Sequence, residues 1–284
     1  MIELKGKPVA DSVYSEIIEE LQKWSSLNWS LPHLVVVLVG NDPASEVYVS
    51  HKEKACHRLN FKSTMVRLSA NTSEMELQSV LQKLNHDESV DAVLLQLPLP
   101  SHLDAKAMTE YISPWKDADG LTQASLGALM AGQQKVTSCT PSGIIKILDF
   151  YKIELAKKKV VVVGRSLIVG LPLFHLLTQR NATVTLSHSK TENIQDHISQ
   201  ADISFIAIGK ANFFKVTDFK KNSVVVDVGI HRIDNLLYGD VNPTHADKHL
   251  AALTPVPGGV GPMTIAMLMK NTLTLALTKR KCQS

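Results

Sequence analysis

Cysteine is scarce in this chain: Cys56, Cys139 and Cys282 are the three among 284 residues, an odd count with no metal-ligand spacing. That argues against a disulfide framework and fits reduced thiols in a cytosol. An excess of one charge is also lacking, since 30 Lys and Arg face 27 Asp and Glu, for +3 with His neutral. The balance is too mild for a nucleic-acid partner and leaves room for an acidic small molecule. No apolar run approaches the ~18 residues of a membrane helix. No apolar stretch follows Met1-Ile2-Glu3-Leu4-Lys5, so no signal peptide is visible, and no solenoid-period repeat occurs. The expectation is a cytoplasmic protein with neither a membrane nor a nucleic-acid partner. What the chain does have is 44% hydrophobic and 20% charged residues, which excludes disorder. At roughly 150 residues per domain, its length suggests two domains.

Five short runs rich in Val, Ile and Leu organise the chain, at 34–39, 92–97, 160–163, 203–208 and 224–228. Continuous apolar runs of this length read as parallel strands buried on both faces. Helical patterns lie between them. One spans 45–59 after the cap Asn41-Asp42-Pro43, and another spans 72–84 with apolar residues at Met75, Leu77, Val80, Leu81 and Leu84. Strand alternating with helix predicts an α/β fold of two domains with parallel sheets. A linking helix is read at 142–151 and a terminal helix at 263–277. The domain boundaries are placed at 1–139, 140–261 and 262–284, the last segment packing back on the first domain.

The segment Val160-Val-Val-Val-Gly164-Arg165-Ser166-Leu-Ile-Val-Gly170 reads as a strand, a tight turn and a helix start. The Rossmann fingerprint Gly-x-Gly-x-x-Gly is not met, because Ser166 takes the second glycine's place and Gly170 comes one residue late. The physical requirements survive: Gly164 allows the turn, Ser166 is small, and a helix N-terminus offers N–H groups to a pyrophosphate. An ordinary glycine-containing βα turn is the alternative. The next strand ends in Ser187-His188-Ser189-Lys190, where an NAD site places an acid about twenty residues beyond the first glycine. With Arg165 in the turn and Ser189 and Lys190 here, a 2′-phosphate is better served, which favours NADP. A solvated polar loop would look the same.

Three further motifs carry chemistry. Tyr48 and Lys52 stand four apart and share one face of a predicted helix. Gln96 ends a buried strand just before Leu97-Pro98-Leu99-Pro100, at the strand edge where ligands bind. Lys116-Asp117-Ala118-Asp119-Gly120 puts a carboxylate before a glycine turn, although Asp-Gly turns are common. In order along the chain come Pro43-Ala-Ser-Glu-Val-Tyr48-Val-Ser-His-Lys52, Gln96-Leu-Pro-Leu-Pro100, Lys116-Asp-Ala-Asp119-Gly120 and Cys139-Thr-Pro141. They are followed by Gly164-Arg-Ser-Leu-Ile-Val-Gly170-Leu-Pro172, Asp227-Val-Gly229-Ile230 and Thr254-Pro-Val-Pro257-Gly-Gly-Val-Gly-Pro-Met-Thr264.

Taken together these motifs resemble the bifunctional methylenetetrahydrofolate dehydrogenase/methenyltetrahydrofolate cyclohydrolase family over nearly the whole chain. Ala118, where many members carry Val, and Leu167 look neutral. The resemblance implies two α/β domains flanking an active-site cleft, the second a Rossmann-type NADP-binding domain, and a homodimer with no obligatory metal. It implies tetrahydrofolate derivatives as substrates, polyglutamylated forms included. It makes Lys52 the acid/base group and Gln96 its hydrogen-bonding neighbour. Tyr48 would lie against the aminobenzoyl ring, and Asp119 would bind the pterin. Gly164, Arg165, Ser166, Gly170 and Ser189 would form the NADP phosphate site, with Ile230 and Thr264 near the nicotinamide. Pro257, Gly258 and Gly259 would line the substrate site.

The implied chemistry suits these residue types. Oxidising the methylene carbon is hydride transfer and chiefly needs two rings positioned. Hydrolysing the methenyl form needs water addition and proton shuttling. A lysine in water is almost wholly protonated at neutral pH, and desolvation beside a cationic substrate is expected to bring it toward the working range. A Gln amide can accept from an ammonium or donate to an amine. Tyr-x-x-x-Lys also marks short-chain dehydrogenases, but there the glycine turn precedes the Tyr, whereas Gly164 follows Tyr48 here. A shikimate-type dehydrogenase and a nucleotide-sensing module are the other readings, and the joint presence of Tyr48, Lys52, Gln96 and Asp119 speaks against the sensor. Cys56 reads as a packed thiol, His51 and His57 lack metal spacing, and His188 faces solvent or cofactor. An X-Pro bond in the 257–262 loop or at Pro98 or Pro100 is a candidate cis bond.

Overall fold

The computed structural model describes residues 1–234 and 236–283, and the backbone alone at Pro43, Ala44, Val47 and Gln283. Asn235 and Ser284, the last residue of the expected terminal segment, lie outside the described residues. The chain forms two compact units, Met1–Asp11 with Ser138–Thr264 and Ser12–Thr137 with Ile265–Ser284.

The unit containing Ser12–Thr137 is built on three parallel strands in the order Lys62–Leu68, His33–Val39, Ala92–Leu95. All seven residues of the central strand are buried. A strand flanked on both sides and covered on both faces has no solvent-facing position, so after the hydrogen-bonded His33 it reads as an apolar run over 34–39. Its side chains Val35, Val37 and Val39 join Leu77, Leu81, Val93 and Leu95 in one core. The helix Glu74–His86 begins with a capping box: Ser73 Oγ accepts from Glu76 N, and Glu76 accepts from Ser73 N at 2.8 Å. That helix buries Leu77 and Leu81 but leaves Met75 79% exposed, so the apolar face starts at Leu77, two residues later than its spacing suggested. The edge strand Lys62–Leu68 escaped the sequence reading because it has a partner on one side only and mixes Lys, Ser, Thr and Arg with its apolar residues.

The unit containing Ser138–Thr264 carries a six-stranded sheet whose pairings are all parallel. Its order is Ile2–Glu3, Ala252–Leu253, Val224–Asp227, Ile203–Ile206, Lys159–Val163, Thr183–Ser187. Val161, Val163, Ile206, Val225 and Leu253 meet Ile198, Phe214 and Phe219 in its core. The edge strand Ile2–Glu3 and its neighbour Ala252–Leu253 hold two residues each, too short to leave a periodic signal. The peptide bonds Leu97–Pro98 and Val256–Pro257 are cis. The three cysteines form no disulfide. Cys56 packs with its Sγ 3.7 Å from Met269 Sδ, and burial pushes its thiol up to about 11, as a packed thiol requires. Among the described residues no helix is long and apolar enough to cross a membrane.

The long helix Gly261–Gln283 is tied into the Ser12–Thr137 unit by a buried fork-to-fork ion pair. Arg280 Nη1 and Nη2 donate to Asp91 Oδ1 and Oδ2 at 2.8 and 3.0 Å, while Nε donates to Ser30 O at 3.1 Å. Asp91 Oδ2 also accepts from His33 N at 2.9 Å, which joins the pair to the central strand. Removing one member of a buried pair strands the other charge. Asp91→Ala is therefore expected to cost about 3–5 kcal/mol in urea unfolding. A loss below about 1 kcal/mol, the scale of an exposed pair, would show that the helix is held by its apolar contacts instead.

Candidate active site

Lys52 lies on the helix Pro43–Arg58, which starts where Asp42 accepts from Ser45 N at 2.8 Å. Tyr48 is one turn earlier on the same face and is 37% exposed, whereas Lys52 is 9% exposed. Lys52 Nζ donates to Gln96 Oε1 at 2.6 Å. Gln96 follows the strand Ala92–Leu95, and its backbone N donates to Val37 O at 2.9 Å, so the residue extends the sheet by one rung. Its Nε2 donates to Leu97 O at 2.5 Å. With the amide nitrogen committed there, Oε1 is aimed at the lysine. Of the two roles open to the amide in sequence, the geometry holds the acceptor.

Asp119 stands in a turn braced from below. Val93 N donates to Lys116 O at 2.7 Å and Ala118 N to Val93 O at 3.2 Å, so the segment pairs alongside the strand Ala92–Leu95. Asp117, fully buried, accepts from Gly120 N, Thr122 N and Ser125 Oγ at 2.9, 2.9 and 2.7 Å. Asn271 Nδ2 donates to Ala118 O and Thr137 O, both at 2.9 Å. Lys116 Nζ donates to Leu84 O and Asp87 O, and burial lowers its ammonium from the ordinary lysine value. Asp119 itself is half-buried. The bracing acid Asp117 and the remote Asn271 were not singled out in sequence; the doubled acid in Lys116-Asp-Ala-Asp119 was the available sign of the first, and Asn271 left none.

In the other unit the strand Lys159–Val163 ends at Gly164, whose φ of +127° favours glycine and whose N donates to Ser187 O at 2.9 Å. A Cβ on Gly170 would lie 2.0 Å from Gly164 O. Gly170 therefore serves the close helix-to-turn packing for which the fingerprint keeps its last glycine, despite arriving a residue late. Ser166 Oγ accepts from Val169 N at 3.1 Å, and Arg165 and Ser166 are exposed. Ser189 and Lys190 are exposed beyond the strand Thr183–Ser187, with no acid between its end and Glu192. Ser187 Oγ is buried with no partner in the structure. A turn closed by two glycines, flanked by a free-standing guanidinium and hydroxyls, fits a dinucleotide carrying an extra phosphate. Thr264 Oγ1 lies 2.9 Å from Thr140 Oγ1, and Ile230 is 46% exposed. Pro257 and Gly258 are exposed, Gly259 is buried, and Gly258 O accepts from Gly6 N at 2.8 Å.

Two buried acids beside Ile230 were given no role in the sequence reading. Asp227 accepts from Gly229 N, Asp240 N and Val241 N at 3.0, 3.0 and 2.9 Å. Burial pushes its carboxyl up to about 6 against the lowering effect of those N–H groups. Asp240 is wholly buried and lies 2.8 Å from His231 Nε2. Asp227 was visible only as part of a family motif, and Asp240 follows a glycine in an otherwise unremarked stretch.

Residues 4–119 match the tetrahydrofolate dehydrogenase/cyclohydrolase catalytic domain, and residues 138–280 match the NAD(P)-binding domain of the same family. The chain is 48% identical over 275 residues to the bifunctional protein FolD of Bdellovibrio bacteriovorus, covering 96% of each chain. It superposes on the crystal structure of the bifunctional FolD enzyme of Campylobacter jejuni with a TM-score of 0.95 at 39% identity, covering 98% of this chain and 99% of that one. The FolD of Trypanosoma brucei, solved with NADP cofactor and an inhibitor, gives a TM-score of 0.93 at 34% identity, covering 100% and 99%. On the two domain matches and this near-complete coverage, the chain belongs to the tetrahydrofolate dehydrogenase/cyclohydrolase family.

Proposed function

We propose that the protein oxidises 5,10-methylenetetrahydrofolate to the methenyl form with NADP+ and hydrolyses the methenyl form to 10-formyltetrahydrofolate, with Lys52 as the acid/base group. The observation that carries this reading is the buried bond from Lys52 Nζ to Gln96 Oε1 at 2.6 Å. A lysine sheltered from water whose Nζ is held by a neutral amide oxygen is placed for proton transfer. Tyr48, one turn away with an exposed ring, is assigned to the aminobenzoyl group, and Asp119 to the pterin N–H groups. Pro257, Gly258 and Gly259 are assigned to the substrate site. Gly164, Arg165, Ser166, Gly170 and Ser189 are assigned to the dinucleotide phosphates, and Ile230 and Thr264 to its nicotinamide end.

Oxidation needs no enzyme base. NADP+, when bound, supplies the hydride acceptor. The chain's own contribution is to orient the folate through Asp119 and Tyr48 and to hold the phosphates. In the hydrolysis, water adds to the methenyl carbon and must lose a proton, and the folate ring nitrogen must gain one as its bond to that carbon breaks. Lys52 Nζ takes the first proton and returns it to the nitrogen, while Gln96 Oε1 keeps the amine oriented through both transfers. The protein acts as a cytosolic homodimer, a reading supported by unlinked cysteines and by the family resemblance.

The direct experiment is an absorbance assay with methylenetetrahydrofolate and NADP+, in which methenyl formation and its later decay are both expected. Lys52→Met keeps length and apolar packing but removes the amine. Dehydrogenase activity is expected to persist while hydrolysis falls by about 10²–10⁴-fold, so the methenyl form accumulates. Equal collapse of the two would make Lys52 a substrate-positioning group. Arg165→Ala is expected to weaken NADP+ by about tenfold or more, the scale of one charge-assisted hydrogen bond, and to leave NAD+ unchanged. Equal losses in titrations with the two dinucleotides would remove Arg165 from the 2′-phosphate.

A further inference from the structure

We propose that Asp240 is a positioning residue for the dehydrogenase reaction, fastening the two loops that receive the nicotinamide half of the dinucleotide. The proposal rests on the NADP reading above and extends it to a residue outside the binding turn.

The carboxylate is wholly buried and every approach to it is occupied. Asp240 Oδ2 accepts from Ile208 N and Gly209 N at 2.7 and 3.1 Å, and Oδ1 accepts from Lys210 N at 2.8 Å. Three successive N–H groups thus turn inward onto one anion, leaving the outer edge of that loop fixed. The loop follows the strand Ile203–Ile206. Oδ1 also accepts from His231 Nε2 at 2.8 Å, and His231 is the next residue after Ile230 in the segment that follows the strand Val224–Asp227. One side chain therefore ties together the segments leaving two adjacent strands at their C-terminal ends, where open parallel sheets bind ligands.

Asp240 is itself held in place. Its backbone N donates to Asp227 Oδ1 at 3.0 Å, and Val241 N donates to Asp227 Oδ2 at 2.9 Å. Asp227 is held in turn by Thr254, whose Oγ1 accepts from Asp227 N at 2.8 Å and donates to Asp227 O at 3.2 Å. Gly229 lies against the carboxylate so closely that a Cβ there would be 2.3 Å from Asp240 Cγ. A change of shape at Asp240 is thus transmitted to the backbone beside Ile230, with no slack to absorb it.

Asp240→Asn tests this with the same shape and one oxygen replaced by an amide. Whichever way the amide turns, its NH₂ meets a backbone N–H, either those of Ile208 and Gly209 or that of Lys210. His231 can change tautomer to accept from an amide; the backbone cannot. Titration of the purified variant with NADP+, followed by intrinsic fluorescence, is expected to show a dissociation constant raised about tenfold, the loss of one charge-assisted hydrogen bond. The KM for NADP+ is expected to rise in parallel, with the KM for methylenetetrahydrofolate unchanged. A purely structural role would reduce the folded fraction, which lowers apparent kcat and leaves both KM and the dissociation constant where they were; that outcome would overturn the proposal. His231→Phe removes only the link to the second segment and serves if Asp240→Asn does not fold. A rise in the NADP+ dissociation constant is expected there too, and an unchanged value would overturn the proposal. Failure of the unaltered protein to bind NADP+ would overturn the cofactor reading and this proposal with it, whereas normal binding by both variants would overturn this proposal alone.

Discussion

Parallel strands buried on both faces impose one constraint on everything else in this protein. Such strands use mostly apolar side chains along their length, so polar chemistry concentrates at the strand ends. Gln96 is the first polar residue after Ala92–Leu95, Gly164 closes Lys159–Val163, and Ser189 follows Thr183–Ser187. Ile208 to Lys210 leave Ile203–Ile206, and Gly229 and Ile230 leave Val224–Asp227. Lys52 and Tyr48 belong to the same scheme one step removed, on the helix Pro43–Arg58 that follows the strand His33–Val39. Because the strands run the same way within each sheet, these groups gather at one edge of it.

The strand ends also leave backbone N–H groups without ladder partners, and carboxylates answer that need. Asp117 takes two backbone N–H groups around Gly120 and Thr122, Asp227 takes three, and Asp240 takes three more. Each is buried, and each is engaged by the fold and so is withheld from solvent. Among the groups proposed to meet a ligand, Arg165, Ser166 and Ser189 are exposed and Asp119 is half-buried. Burial thus separates the acids that shape loops from Asp119, the acid proposed to bind the pterin.

This sorting explains what could be read in the sequence. The central strands were legible because burial on both faces forces a run such as 34–39, and the helix Glu74–His86 because its cap is local, Ser73 to Glu76. The strand-turn-helix at Gly164 was legible even though the fingerprint fails, since spacing of the last glycine is set by contact: Gly170 is where the helix meets Gly164 O. The edge strand Lys62–Leu68 was not, because one-sided pairing tolerates polar residues. Asp240 and Asn271 were not, because the backbone N–H and C=O groups they engage lie about thirty or more positions away in the chain and carry no side-chain signature. Lys52 and Gln96 are 44 positions apart, and their pairing was inferred from family resemblance before the fold brought them to 2.6 Å.

The two reactions differ in their need for a proton carrier: hydride transfer asks for alignment alone, and hydrolysis asks for the proton transfer proposed for Lys52. A solvent deuterium isotope effect reads that difference without altering the protein. Both activities are to be followed on one preparation, in light and heavy water at matched points of their pH profiles. The account predicts a substantial normal effect on methenyl hydrolysis and an effect near unity on methylene oxidation. An equal effect on both reactions, or none on the hydrolysis, would contradict it.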